Sequence, residues 1–179
     1  MEHDLVDLYG RASEWSIGKI AGATDKLDAP THLEGWTVRD LLNHMLLAQR
    51  YFVGATKGED IPQPNTPHPP ALISANPQAD FAQVRDELLA LFADDDTLAN
   101  KTLGIVAAFG DILIHGWDVA AATGQDTAMP PGLAEANYDM IPDFTDDQRE
   151  GIFGPRVEVP TDASVQDKLL AFSGRNPSA

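Results

Sequence analysis

The chain contains no cysteine and few basic residues, and both shortages exclude whole classes of protein. Without cysteine there is no disulfide, no thiolate ligand for zinc, no iron–sulfur cluster and no thiol nucleophile. Among 179 residues, 12 Lys or Arg stand against 28 Asp or Glu, which gives a formal net charge of -16. Phosphate groups are bound by clustered Lys and Arg, so this charge argues against nucleic acid and against an anionic membrane surface as partners. Any sulfur chemistry must arrive on a ligand.

The sequence also lacks a leader segment and a long apolar run. Its first residues are acidic and no basic stretch precedes an apolar one, so we expect no signal peptide. Apolar stretches are short and interrupted by Gly or Asp, so we expect no helix that spans a bilayer. A hydrophobic content of 43% over 179 residues fits one folded domain with a substantial core. We therefore expect a soluble, cytoplasmic protein with a single domain over residues 1–179.

Apolar residues recur at helical spacing along much of the chain, which predicts an all-α protein. A first helix falls within Asp4–Lys26 and ends before Pro30, because proline disfavours helical geometry in the preceding residue. Thr37 and Asp40 have the spacing of a capping box and predict the start of a second helix, which ends near Ala55.

Six prolines between residues 59 and 77 predict a long crossover connection. Such a connection suits neighbouring helices that run in the same direction. A third helix is expected to begin at Asn76–Pro77 and to stop at the acidic run Asp94–Asp96. A fourth is expected from about Leu103 to Thr123, where Gly124 follows it. Two short helices complete the prediction: Leu133–Ile141, and a last one capped by Asp162 that ends at Phe172.

Three polar residues share one face of the fourth helix. Asp111 and His115 are one turn apart, and Asp118 follows three residues later. His44 lies on the apolar face of the second helix and should point into the bundle. A carboxylate and an imidazole at i and i+4, joined by an imidazole from a facing helix, give three metal ligands. Three protein ligands leave coordination positions open for water or substrate.

Spacing alone leaves other interpretations open. Asp111 and His115 could form a local ion pair, or Asp118 could orient His115 with no metal present. His44 could be a core histidine bonded to a carbonyl or hydroxyl group, since a buried imidazole needs a partner. Further polar residues are interpreted as surface or packing residues: His3, His32, His68, Gln49 and Tyr51.

Two segments resemble motifs of a known superfamily. The segment from Gly35 to His44, GWTVRDLLNH, resembles the first metal-ligand motif of mycothiol-dependent maleylpyruvate isomerase and DinB/YfiT-like proteins. The segment DILIHGWDVA, which begins at Asp111, resembles their second motif. The tail, in Phe153–Pro160 and Asp167–Arg175, is similar to the ending of an actinobacterial branch of metal-binding proteins.

The resemblance implies a DinB-like four-helix bundle of up-down-down-up topology with short additional C-terminal helices. It implies a divalent metal, usually zinc or nickel in such folds, held by His44, Asp111 and His115. In the isomerase the middle ligand is a glutamate, and Asp111 is one methylene shorter. The isomerase also has an additional C-terminal domain, for which this chain is too short.

Together, the residues and the resemblance imply a thiol-dependent enzyme. A metal would activate a thiolate, that of mycothiol, or a water for thiol transfer or isomerisation of a small molecule. Asp118 would fix a ligand from outside the coordination shell. Pocket walls are expected from Trp36, Phe52 and Trp117. The alternative is a non-catalytic bundle whose metal or small-molecule site is structural or vestigial, and an exposed apolar helix face could make a homodimer.

Overall fold

The structure, a computed structural model, describes residues 4–93, 95–141, 145, 149 and 152–177, with the side chains of 95–103 outside the described part. Within these residues the regular elements are helices, and an isolated bridge joins Pro30 to Thr37. The prediction of an all-α protein is confirmed. The chain divides into two compact units, Met1–Ala128 and Met129–Ala179. The single domain over residues 1–179 stays a prediction.

Four helices belong to the first unit and two to the second. The first unit contains α1 (Leu5–Ala21), α2 (Val38–Lys57), α3 (Pro77–Phe92) and α4 (Asp95–Thr123). The second contains α5 (Leu133–Met140) and α6 (Val165–Phe172). The core of the first unit consists of wholly buried side chains: Tyr9, Ile20, Leu41, Leu42, Met45, Leu46, Phe81, Leu88, Phe92, Ile105, Phe109 and Ile112.

Local capping signals set the starts of α2 and α3. The Thr37 hydroxyl accepts the Asp40 N–H, and the Asp40 carboxylate accepts the Thr37 N–H, so the predicted capping box is present. The hydrogen bonds from Thr37 hold the pKa of Asp40 below its usual range. Asn76 caps α3 by accepting the Ala79 N–H. The capping box fixes where α2, the helix that carries His44, begins.

Two helix starts differ from the predictions. α4 begins at Asp95 rather than near Leu103, so Asp95 and Asp96 of the acidic run form the start of this helix. Acidic residues suit a helix N-terminus, because the helix dipole is positive there. The last helix is capped by Ser164, which accepts the Asp167 N–H at 3.0 Å, and not by Asp162.

The contacts of α2 with α4 show that these two helices are antiparallel. Gln49 of α2 donates to Asp111 of α4, whereas Thr56, farther along α2, lies beside Gly104, which is earlier in α4. The residue numbers thus rise along one helix as they fall along the other. The polar residues of α4 therefore face the middle of α2.

The Pro-rich crossover joins two parallel helices. The side chain of Asn43, near the start of α2, accepts the backbone N–H groups of Leu72 and Ile73, which precede α3. At the other end, Lys57 of α2 pairs with Glu87 near the end of α3. Both helices therefore run the same way, as the long connection predicts.

α1 and α4 are also parallel and approach closely. The Ser16 hydroxyl donates to the Ile112 carbonyl at 2.7 Å, and Lys19, farther along α1, donates to the carbonyl of Asp126 beyond the end of α4. A Cβ added to Gly116 would overlap the Ser16 side chain, so glycine is what permits this approach. Combined with the two previous pairs, these directions give the up-down-down-up bundle.

The central part of α4 is the most apolar segment of the described chain. Gly104–Thr123 is long and apolar enough to cross a membrane by length and composition alone, with a mean hydropathy of 1.4. However, 61% of this window is buried inside the protein. The core helix of a soluble bundle meets the same criteria, and the burial of α4 against α1 and α2 fits that description.

The second unit has its own small set of contacts. The Val157 N–H donates to the Ala171 carbonyl at 3.0 Å, so the extended segment before α6 folds back on that helix. The Arg149 guanidinium lies over the ring of Phe172, 4.7 Å from its centroid. These contacts support the predicted short C-terminal helices as a packed structure.

The close approach of α1 and α4 predicts opposite effects of two Gly→Ala substitutions. Gly116→Ala places a Cβ 2.9 Å from the Trp15 ring and against the buried Ser16 side chain. We expect it to lower the free energy of unfolding by about 1–3 kcal/mol, because packed interiors do not accommodate added volume. Gly18→Ala, in α1, meets nothing within 4 Å and should raise it by about 0.5–1 kcal/mol. Urea unfolding measures both, and equal stability of the two variants contradicts this packing.

Candidate metal centre

The three predicted ligands lie together where α2 faces α4. His44, Asp111 and His115 each offer one ligand atom, and these atoms lie within 4.8 Å of one another. The two imidazole rings are edge-to-face, with centroids 5.1 Å apart. All three residues are half-buried, so the group faces the interior but stays accessible. Among the described residues, this is the group of three His, Asp or Glu side chains that lie close enough together to hold one metal ion.

The separation of Asp111 and His115 is longer than a direct hydrogen bond and fits either an ion pair or a shared cation. Oδ1 of Asp111 and Nε2 of His115 are 3.7 Å apart, which is too long for a hydrogen bond. Two ligands of a tetrahedral zinc ion lie about 3.4 Å apart, because each is about 2.1 Å from the metal. The two atoms are thus close to the spacing that one ion requires.

Asp118 determines which nitrogen of His115 faces Asp111. Its carboxylate lies 2.8 Å from Nδ1 of His115, and its side chain is wholly buried. An ionised carboxylate can only accept hydrogen bonds, so this contact favours the tautomer with the proton on Nδ1 and the lone pair on Nε2. Metal-binding histidines commonly donate their other N–H to a carboxylate in this way.

A second chain of hydrogen bonds orients Asp111. Gln49 donates from Nε2 to Oδ2 of Asp111 at 2.9 Å, and its Oε1 accepts the Tyr9 hydroxyl at 2.9 Å. Burial raises the pKa of Tyr9, so its hydroxyl stays a donor at neutral pH. With Oδ2 of Asp111 engaged, Oδ1 is the oxygen directed at His115. Residues of α1 and α2 therefore fix the carboxylate of α4.

The position of Gln49 on the apolar face of α2 indicates a buried residue with a hydrogen-bond partner. Its interpretation as a packing or surface residue did not include that partner. Leu41, Met45 and Gln49 follow one another at i+4 on one face of α2, and Gln49 is 1% exposed. A polar side chain on a buried face needs a hydrogen-bond partner. Its partner is the carboxylate of Asp111 on the facing helix.

His32 lies at the surface, as predicted, but it has a partner that the prediction did not give it. Its Nε2 lies 3.1 Å from Oδ1 of Asp118, so one carboxylate joins two imidazoles. The side chain of His32 is 31% exposed, and its ring lies against that of Trp117 at 5.8 Å. The contact links the α1–α2 connection to α4, and helical spacing cannot reveal such a pair.

The predicted pocket walls fall in three different places. Trp36 lies edge-to-face on His44, with ring centroids 5.2 Å apart. Trp117 is buried and contacts His32 rather than a predicted ligand. The ring of Phe52 lies 5.6 Å from that of Tyr51, two turns beyond His44 along α2. Of the three walls, Trp36 is therefore the one with a ring contact to a predicted ligand.

Comparison with known proteins places these residues in a family context. Residues 16–120 match the family model of the mycothiol maleylpyruvate isomerase N-terminal domain. The chain belongs to this family. The matched segment includes His44, Gln49, Asp111, His115 and Asp118.

The chain is also similar to two uncharacterized proteins of Mycobacterium tuberculosis, one from strain CDC 1551 / Oshkosh and one from strain H37Rv. Each is 30% identical to it over 183 aligned residues, which cover 96% of this chain and 98% of the relative. No solved structure matches the chain. The similarity to these relatives thus extends beyond the family domain to almost the whole length.

Gln49→Leu tests the hydrogen bonds that orient Asp111. The substitution keeps the volume but leaves the buried Tyr9 hydroxyl and one Asp111 oxygen without their bonds to Gln49. We expect the free energy of unfolding to fall by about 1–3 kcal/mol, the cost of buried polar groups left unpaired. Gln83→Leu on the exposed side of α3 is the matched control and should stay within about 0.5 kcal/mol. Equal stability of the two variants in urea unfolding contradicts the assignment.

Proposed function

We propose that this protein binds a divalent metal ion, zinc or nickel, through His44, Asp111 and His115. We further propose that it uses the ion with a thiol, mycothiol, to transfer or isomerise small molecules. The observation that carries the proposal is a donor set in which two ligands are oriented from outside, His115 by Asp118 and Asp111 by Gln49. Such orientation is typical of metal sites.

The chemistry of the donor set fits such an ion. Two imidazole nitrogens and one carboxylate oxygen are ligands that zinc and nickel accept. Asp111 is one methylene shorter than the glutamate expected from the isomerase, yet its Oδ1 comes within 3.7 Å of Nε2 of His115. The shorter carboxylate therefore reaches the set.

The open positions of such a site suit a thiol or a water. When bound, a divalent cation supplies Lewis-acid chemistry that favours the deprotonated form of a thiol or water in an open position. The chain supplies no thiol, since it has no cysteine. Trp36 limits rotation of the His44 ring by its edge-to-face contact. Asp118 accepts a hydrogen bond from Nδ1 of His115 and so orients that ring. Family membership supports mycothiol as the thiol.

The proposed partners are a small-molecule substrate and the thiol. A formal charge of -16 supports the absence of a nucleic-acid partner and of binding to anionic membrane surfaces. Location in the cytoplasm and association into a homodimer are part of the same proposal. The burial of α4 supports a soluble domain, which is compatible with that location.

Metal content tests the ligand assignment. His44→Ala and His115→Ala should each abolish stoichiometric metal after expression in medium supplemented with zinc and nickel, because two ligands hold a divalent ion far more weakly than three. Elemental analysis of the purified proteins measures the loss. His68→Ala, in the exposed crossover, should keep the wild-type content. Equal retention in all three variants, or no metal in the wild type, overturns the proposal.

Thiol binding tests the catalytic part. Added mycothiol should change the visible spectrum of the cobalt-substituted protein, because a thiolate ligand adds charge-transfer absorption and alters the metal geometry. A thiol-free analogue of the same sugar is the control and should leave the spectrum unchanged. A spectrum that mycothiol does not alter contradicts thiol-dependent chemistry and supports the non-catalytic bundle.

A further inference from the structure

The connection between α1 and α2 forms an ordered turn over residues 30–37, here called the 30–37 turn. An antiparallel bridge joins its ends, Pro30 and Thr37. Inside it, the Thr31 N–H donates to the Trp36 carbonyl at 2.9 Å, and the Thr31 hydroxyl accepts the Leu33 N–H at 3.1 Å. These bonds fix the backbone on both sides of His32.

Two side chains of the 30–37 turn support the two histidine ligands. Trp36 lies against the ring of His44, with centroids 5.2 Å apart. His32 reaches Asp118 at 3.1 Å, and Asp118 in turn bonds to His115 at 2.8 Å. One turn thus contacts the ligand from α2 directly and the ligand from α4 through a carboxylate.

His32 satisfies the oxygen of Asp118 that His115 does not use. His115 occupies Oδ2 and His32 occupies Oδ1, while the Asp118 side chain has 0% exposure. A buried carboxylate oxygen that loses a donor costs free energy, and the carboxylate can lower this cost by rotating toward water. Such a rotation would disrupt its bond with His115. The ring of Trp117 lies against His32 and limits where the imidazole can go.

We propose that His32 is a positioning residue of the metal centre. It holds the Asp118 carboxylate, so that Nδ1 of His115 stays protonated and Nε2 stays available to the ion. This inference rests on the proposed metal binding by His44, Asp111 and His115. His32 itself is not a ligand, because it acts through Asp118.

Three variants of the full chain separate this role from others. His32→Leu removes the donor, whereas His32→Gln places an amide N–H near the position of Nε2. His68→Leu is the matched control, a histidine in the exposed crossover. Zinc affinity is measured by competition with a chelating dye. The ring ¹⁵N shifts of His115 in the metal-free protein report which nitrogen carries the proton.

His32→Leu should still bind one zinc ion but about tenfold more weakly, the lower end of what outer partners of metal ligands contribute. Its His115 should show a mixture of tautomers, whereas the wild type shows the Nδ1–H form. His32→Gln should recover most of the affinity, and His68→Leu should match the wild type. If His32→Leu does not fold, His32→Ala, which also removes the donor, takes its place.

The possible negative results overturn different proposals. If the wild type takes up neither zinc nor nickel, the proposed function fails, and this inference fails with it. If the wild type binds one zinc ion and His32→Leu binds it equally well, this inference alone is overturned. A loss of affinity with an unchanged His115 tautomer also overturns it, because the effect would then not pass through Asp118.

Discussion

The buried carboxylate of Asp118 is the constraint on which the polar interior of this bundle depends. It has no exposed side-chain surface, and each oxygen meets an imidazole, that of His115 or that of His32. Removing an ionised carboxylate from water costs several kcal/mol unless donors replace the lost hydration. The need of the buried Asp118 carboxylate for hydrogen-bond donors therefore holds both imidazoles in place. The remaining nitrogen of His115 is left to face Asp111.

Four segments of the chain supply hydrogen-bonding groups to the centre. α1 provides Tyr9, α2 provides Gln49, and the 30–37 turn provides His32, while α4 carries both carboxylates. Among the described residues most acidic side chains are exposed, but Asp118 is buried and Asp111 is half-buried. Two interior negative charges are what a divalent cation would offset, so donor geometry and charge support the same ion.

The features that could be predicted from the sequence are contacts between residues that lie close together along the chain. Thr37 with Asp40, and Asp111 with His115, interact within one turn, so their spacing alone indicates the contact. His32 pairs with a residue 86 positions later, and only the bundle brings them together. The start of α4 was misplaced because an acidic run can end one helix or begin another. Such choices depend on packing rather than on local preference.

The anchor at Asn43 has a consequence for how this protein can vary. Asn43 precedes His44, and its side chain holds Leu72 and Ile73 in place just before α3. Residues 59–71 therefore connect two fixed points, and the entropy of closing such a loop changes only slowly with its length. Insertions and deletions there should be tolerated among descendants of this sequence, since neither α3 nor the helix that carries His44 has to move.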